Sequence, residues 1–323
     1  MKYGKKMVSL ILVVIMTWGL VGCGAESGET QVHIGYFNNV THAQALYLKA
    51  NGTLEKTFGK DTKVEWSAFN AGPAEVEALF AGDIDIGYIG PVPAITANVK
   101  SSGDVQILSG ATKGGAILIK GVNSHIQSVS DLAGKNVSIP QIGNTQHLCL
   151  LQLLKDNGLK PTAEGGDVTV SAVQNADVSN TMERGDIDAA LVPEPWGATL
   201  LSQGAEMLLD YDKIYMEGKY DVAVVVVRKE FKEKHPELVD QFIKAHQEAT
   251  QKINQESTTA LKVINQELRD ATGKSLSENI MKEAFSRIEI STEYNKDSIA
   301  GFANISKEQG FIPSVPESGL YSE

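Results

Sequence analysis

From Val32 onward, short apolar runs alternate with longer segments whose apolar positions recur at three- and four-residue intervals, the pattern of strands and helices alternating in an α/β chain. The runs predict strands over Val32–Phe37, Lys63–Phe69, Ile84–Ile89, Val105–Ser109, Ala116–Lys120, Asn136–Ile139, Val168–Ala172, Ala189–Val192 and Val222–Val227. The spacing predicts helices over His42–Ala50, Ala74–Phe80, Val92–Val99, Thr145–Asn157, Ser179–Arg184, Gly197–Gln203, Pro236–Gln255, Thr258–Ala271 and Ser277–Phe285. From about Glu230 the chain is rich in Glu, Lys and Gln with apolar residues at helical spacing, which predicts surface helices covering a sheet.

A short repeat organises this pattern. Phe69-Asn70-Ala71 leads through a helix to Gly82-Asp83-Ile84-Asp85, a strand, and Gly90-Pro91-Val92-Pro93. Gln174-Asn175-Ala176 leads through a helix to Gly185-Asp186-Ile187-Asp188, a strand, and Pro193-Glu194-Pro195-Trp196. One Gly-Asp turn between a helix and a strand is ordinary; two in the same context indicate two lobes built on one plan. Facing each other, such lobes present loops at Asn70, Gly90, Asn175 and Glu194 to a common cleft. There, beyond the carboxyl ends of the strands, helix N-termini point unpaired N–H groups at a ligand. Pro73, Pro91, Pro93 and Pro195 suit the first turn of a helix, where a missing N–H costs nothing.

The N-terminus carries a different signal. Lys2, Lys5 and Lys6 precede an apolar run from Met7 to Leu20, too short to span a hydrocarbon core as a stable helix. It ends in Leu20-Val21-Gly22-Cys23, which resembles a bacterial lipobox, where the cysteine is acylated and the chain is cut just before it. Residues 1–22 then form a lipoprotein signal peptide and residues 23–30 a lipidated tether. The mature protein is expected outside the cytoplasm, anchored to the cell membrane by a lipid on Cys23.

Composition narrows the function. The 323 residues are 42% hydrophobic and 21% charged, enough apolar matter for one large domain or two ordinary ones. After the signal is removed, 26 basic residues face 40 acidic ones, a charge of −14 that argues against nucleic acid as partner. The folded part keeps a single cysteine, Cys149, in an apolar helical run where a buried inert residue is expected. The six histidines show no metal-ligand spacing, and no P-loop, GxGxxG, GxSxG or HExxH motif occurs. No cofactor is implied. No long apolar surface stripe suggests an obligate interface, so a monomer is expected.

Candidate ligand groups sit in the loops. Thr112, Gly114 and Gly115 follow a strand, and the glycines let backbone approach a ligand closely. Asn144, Thr145 and Gln146 open a long helix; Thr145 either caps it or donates to a bound oxyanion. His42 either donates to an anion or serves packing. Glu194 is either a catalytic acid beside an apolar wall or a structural or ligand-positioning carboxylate, and Trp196, preceded by two prolines, fits a pocket wall.

These motifs together resemble one bacterial family. They are Gly35-Tyr36-Phe37-Asn38 with Thr41-His42-Ala43, Phe69-Asn70-Ala71-Gly72-Pro73-Ala74, Glu77 to Asp85, Tyr88-Ile89-Gly90-Pro91, Gly110 to Ala116, Gly143-Asn144-Thr145-Gln146 and Pro193-Glu194-Pro195-Trp196. The chain is similar here to the periplasmic substrate-binding proteins of ABC transporters for aliphatic sulfonates, nitrate and taurine. The resemblance implies the type II periplasmic-binding fold: two α/β lobes, two crossover strands, and a solute held in the cleft between them. It places the crossovers near Lys120-Gly121 and Asp221-Val222, with one lobe at 31–121 plus 222–323 and the other at 122–221. It implies a pocket drawn from Asn38, His42, Asn70, Gly90, Pro91, Thr112, Gly114, Gly115, Asn144, Thr145, Gln146, Glu194 and Trp196. It further implies that a small oxyanion closes the lobes and that the closed form delivers it to a permease driven by its ATPase partner. After Gly143-Asn144-Thr145-Gln146 many relatives carry an Asp and then an Arg; here His147 and Leu148 stand instead, which changes the charge at the pocket rim. An alternative is an enzyme on the same fold resembling thiamine-pyrimidine synthases, with His42 or Glu194 reactive, or a binding protein for a pyrimidine precursor.

Overall fold

The computed structural model describes residues 30–122 and 124–322. The signal segment, Cys23 and the tether up to residue 29 lie outside the described residues. Two sheets carry the fold. The first contains β1 (Thr30–Phe37), β2 (Thr62–Phe69), β3 (Ile86–Ile89), β4 (Val105–Gly114), β10 (Asp221–Arg228) and β11 (Ile288–Ile290), in the order β11-β4-β10-β3-β1-β2. The second contains β5 (Ala116–Lys120), β6 (Asn136–Ile139), β7 (Thr169–Ala172), β8 (Ala189–Pro193) and β9 (Glu206–Leu209), in the order β7-β6-β8-β5-β9.

The sequence repeat is a repeat of topology. In each sheet the first strand of the unit lies between the second and the third, all parallel: β2-β1-β3 and β7-β6-β8. An antiparallel strand then joins the third, β10 on β3 and β5 on β8. The last aspartate of each Gly-Asp-Ile-Asp segment fixes this arrangement. Asp85 Oδ2 accepts the His33 amide proton at 3.0 Å, and Asp188 Oδ2 accepts the Asn136 amide proton at 2.8 Å. The partners are 52 positions apart in both units. Each aspartate also returns its own amide to the same residue's carbonyl. The glycines that open the segments, Gly82 and Gly185, have φ of 81° and 76°, a left-handed turn that a side chain would strain.

Helices pack on both faces of the first sheet. α1 (Ala43–Ala50), α9 (Pro236–Gln255) and α10 (Ser257–Thr272) cover one face with Leu46, Phe242 and Ile264 against Ile34, Tyr88 and Val225. α3 (Gly72–Ala81), α4 (Pro91–Lys100) and α12 (Lys296–Glu308) cover the other, where Val222, Val224 and Val226 of β10 point. A strand buried on both faces reads as an unbroken apolar run, as Val222–Val227 does. The second core continues into the other lobe through Leu148, Leu150 and Leu154 of α5 (Thr145–Asp156). The remaining helices are α2 (Thr53–Phe58), α6 (Val178–Glu183), α7 (Trp196–Ser202), α8 (Lys229–Lys234) and α11 (Glu278–Ser286).

The structure differs from the sequence reading in three places. The first crossover falls at Gly114-Gly115, not at Lys120-Gly121, because β5 pairs with β8 and β9 of the second sheet. Both glycines have positive φ, 71° and 75°, and a Cβ on Gly114 would stand 2.8 Å from the Arg287 carbonyl, so the sharp exit from β4 requires glycine. Thr112 and Lys113 are therefore strand residues: β4 runs on to Gly114, paired with β10 through register shifts and with β11. Finally, α2, α8, α12, β9 and β11 are additional elements. α12 spans the boundary, touching α4 of one lobe and α5 of the other.

Candidate functional site

The carboxyl ends of β1, β2, β3, β6 and β8 converge on a slot between the lobes, the switch point where open α/β sheets take ligands. The slot encloses about 20 Å³, room for about one water molecule. Three helices aim their N-termini at it: α3 through Ala71 and Gly72, α4 through Gly90, and α5 through Asn144, Thr145 and Gln146. The first two belong to one lobe and α5 to the other. Their end N–H groups have no partner inside the helix and carry the positive end of the helix dipole.

The α5 end shows how its atoms are divided. Asn144 is the N-cap, its Oδ1 accepting the His147 amide proton at 2.8 Å, and its Nδ2 donates to Gln146 Oε1 at 3.1 Å. Asn144 thus caps the helix without help from the Thr145 hydroxyl. Thr145 is 2% exposed, and its Oγ1 is buried with no hydrogen-bond partner. A buried hydroxyl without a partner is costly, which leaves Thr145 poised for a ligand. Gly90 lies directly across the cleft: a Cβ there would stand 2.5 Å from Thr145 Oγ1. The lobes can approach this closely because position 90 has no side chain.

His42 forms another wall. It is 1% exposed, stacked on Phe37 at 4.2 Å, and burial lowers its pKa to about 3, so the ring is neutral. The Phe37 amide donates to Nδ1 at 3.1 Å, which places the ring proton on Nε2 as a donor. Thr41 Oγ1 donates to Asn39 Oδ1 at 2.5 Å. The two copies of the repeat meet at the rim, where Asn70 Nδ2 donates to Gln174 Oε1 at 3.4 Å. Among the described residues lining the slot there is no Asp, Glu, Lys or Arg. A bound charge would be met by oriented dipoles alone.

The structure gathers His42, Asn70, Gly90, Asn144, Thr145 and Gln146 around the slot, and Asn38, Asn70 and Trp196 around a larger chamber that adjoins it. Five expected residues are placed elsewhere. Pro91 is buried in the first turn of α4, away from both spaces. Thr112 is fully buried in β4 opposite Ala223 and Ile290, and Gly114 and Gly115 make the crossover. Glu194 is fully buried and both its oxygens are taken: Oε1 accepts from Arg287 Nη1 at 3.0 Å and Oε2 from the Ala198 amide at 2.9 Å. Burial raises the Glu194 pKa against the pull of Ala198 and Arg287. Arg287 also binds Asp210 at 2.9 Å and Glu283 at 2.6 Å, so this cation ties the second sheet to the first beside the crossover.

His147 stays off the slot as well. Its Nδ1 accepts the Gly143 amide proton, its ring meets Phe311 edge-on, and burial lowers its pKa to about 4. Leu148 is fully buried, and so is Cys149, whose thiol burial pushes far above its ordinary range. The fold also brings in residues that the sequence did not single out for the pocket: Thr41, Pro140 and the β10 residue Val222 at the slot, and Leu268 and Leu276 from the C-terminal helical region at the chamber. No cluster of His, Cys, Asp or Glu among the described residues could hold a metal ion.

Two like-built α/β lobes joined by paired crossovers, with helix N-termini converging between them, define the periplasmic-binding-protein fold. The sequence model of the NMT1-like family matches residues 25–265, and the chain belongs to that family. It is 34% identical to the taurine-binding periplasmic protein of Escherichia coli (strain K12) over 61% of its length, spanning 60% of that protein. It is 29% identical to a putative aliphatic sulfonates-binding protein of the same organism, over 68% of this chain and 67% of the relative. The alkanesulfonate-binding protein from Xanthomonas axonopodis pv. citri bound to MOPS shares the fold with a TM-score of 0.74 at 22% identity, covering 89% of this chain and 95% of that one.

Proposed function

We propose that the protein is an extracytoplasmic solute-binding lipoprotein of an ABC importer. It captures a small oxyanion of the sulfonate, taurine or nitrate kind by closure of its lobes and hands it to the permease and ATPase. The lipid on Cys23 keeps it at the membrane. Lobe one consists of β1–β4 with the chain from β10 onward, and lobe two of the segment between them. The observation that carries this reading is the unpartnered Thr145 Oγ1 at the N-terminus of α5, facing the N-terminus of α4 across the cleft. Hydroxyl, amide and imidazole donors without a counter-charge suit a singly charged anion that must later be released. Slot residues from both lobes make closure and binding one event.

Binding without turnover fits the same geometry. The Nδ1 of His42 accepts the Phe37 amide proton, which leaves the neutral ring a donor at the slot, and Glu194 is locked by Arg287 and Ala198 outside it, so neither group that an enzyme reading would make reactive is set up as a base there. Calorimetric titration with methanesulfonate, hexanesulfonate, taurine, nitrate and sulfate tests the proposal. At least one of these anions binds at a stoichiometry of one and is recovered unchanged; the absence of heat from all of them refutes it.

A further inference from the structure

Phe37, Asn39, Asn70 and Asn175 line both the anion slot and the adjoining chamber, so the two spaces share a collar. The chamber encloses about 390 Å³, within the range of small-molecule sites. Its apolar lining is Phe69, Trp196, Leu200, Leu268 and Leu276. Its polar groups are uncharged amides and hydroxyls, with one exception. Among the described residues lining it there is no Asp or Glu, and its one charged side chain, exposed Lys274, is positive.

Resting on the anion-slot reading, we propose that this chamber selects anions with an uncharged tail of about ring size and turns away those whose tail ends in an ammonium group. Size supports the first half. Roughly 150 Å³ suffices for a benzene ring, so the chamber of about 390 Å³ admits one with room to spare, and a ring buries more carbon there than a two-carbon tail, each added methylene gaining about fourfold in affinity. Charge supports the second half. An ammonium group entering the chamber leaves water, meets no carboxylate, and faces Lys274. The indole of Trp196 attracts a cation, but at a half-buried wall that contact is worth only about two- to fivefold. Trp196, Leu268 and Leu276 are then the specificity-determining residues, and the C-terminal helices supply ligand selectivity as well as cover.

The test is calorimetric titration of the full folded chain with methanesulfonate, benzenesulfonate and taurine, repeated on Trp196→Ala and Leu276→Glu. We expect benzenesulfonate to bind at least about 30-fold tighter than taurine, and taurine no tighter than methanesulfonate. Trp196→Ala loses about tenfold for benzenesulfonate while methanesulfonate stays within about twofold. Leu276→Glu, which supplies the missing counter-charge, gains about tenfold for taurine. Taurine binding as tightly as benzenesulfonate, or a Trp196→Ala variant with unchanged benzenesulfonate affinity, overturns this proposal while the slot reading stands. Silence from all three sulfonates in the wild type overturns this proposal, and silence from nitrate and sulfate as well overturns the slot reading itself.

Discussion

Replacing Arg287 by methionine removes the cation that joins the two sheets beside the crossover. Three carboxylates meet its guanidinium, but they are unequal. Asp210 and Glu283 have side chains 40% and 55% exposed, and water screens what they lose. Glu194 is fully buried; without Arg287 it keeps only the Ala198 amide. Removing one partner of a buried pair costs about 3–5 kcal/mol, because the remaining charge has neither water nor counter-ion. That is a large share of an ordinary stability of about 5–15 kcal/mol. The cost also depends on pH. Burial already holds the Glu194 pKa above its usual 4.5, and loss of Arg287 pushes it higher. A carboxyl that keeps its proton when folded but releases it when unfolded loses stability as pH rises above 4.5, by up to about 1.4 kcal/mol per unit. Urea titrations at pH 5 and pH 8 should therefore show Arg287→Met costing most at pH 8. Glu194→Gln added to it should recover at least about 2 kcal/mol there. A loss below about 1 kcal/mol at pH 8, or no recovery in the double variant, would refute the account of this ion pair.

Three further outcomes are expected. Thr145→Val, which keeps shape and removes the hydroxyl, should weaken sulfonate binding by about 1.5–3 kcal/mol and raise the unliganded melting temperature, since Oγ1 is buried without a partner in the fold; equal affinity in calorimetry would exclude Thr145 from the site. Gly90→Ala is tolerated by the backbone, at φ −66° and ψ 150°, yet its Cβ would meet Thr145 across the cleft. It should cost at least about tenfold in affinity with a stability change under about 0.5 kcal/mol, and unaltered closure in small-angle scattering would count against the closed arrangement. Glu75 is fully buried on α3, against Gly35 and Gly87, with neither carboxylate oxygen partnered, and burial raises its pKa well above 4.5. Glu75→Met should therefore stabilise the protein, by more at pH 8 than at pH 5, because only the wild type must hold a proton on a buried acid that the unfolded chain releases as pH rises. A variant equally destabilised at both values would contradict this reading of Glu75.

The two-lobed plan was legible because its signal is local and doubled. Each Gly-Asp-Ile-Asp segment needs a left-handed glycine and an aspartate that reaches a neighbouring strand, and both copies do so 52 residues from their partners. The slot was legible at its helix N-termini, where Gly90 and Asn144 to Gln146 stand next to their strands. Long-range chemistry was not. Nothing near Glu194 announces Arg287, 93 positions away, so the sequence leaves a structural carboxylate and a pocket acid undivided. Gly114 and Gly115 look like a ligand loop because a crossover and a close approach to ligand both demand glycine. Leu268 and Leu276 line the chamber only through tertiary packing of helices whose own periodicity reports burial, not what they face. α12 has apolar Ile299, Phe302 and Ile305 thinned by small residues, and Gly301 is small because Tyr215 packs there.

A crystal structure of the chain grown with benzenesulfonate addresses the central idea most directly. The sulfonate should lie between the N-termini of α4 and α5, with an oxygen within hydrogen-bond distance of Thr145 Oγ1 and the ring against Trp196. A sulfonate bound outside the inter-lobe slot, or a slot left to water while the anion sits on the surface, would contradict the account.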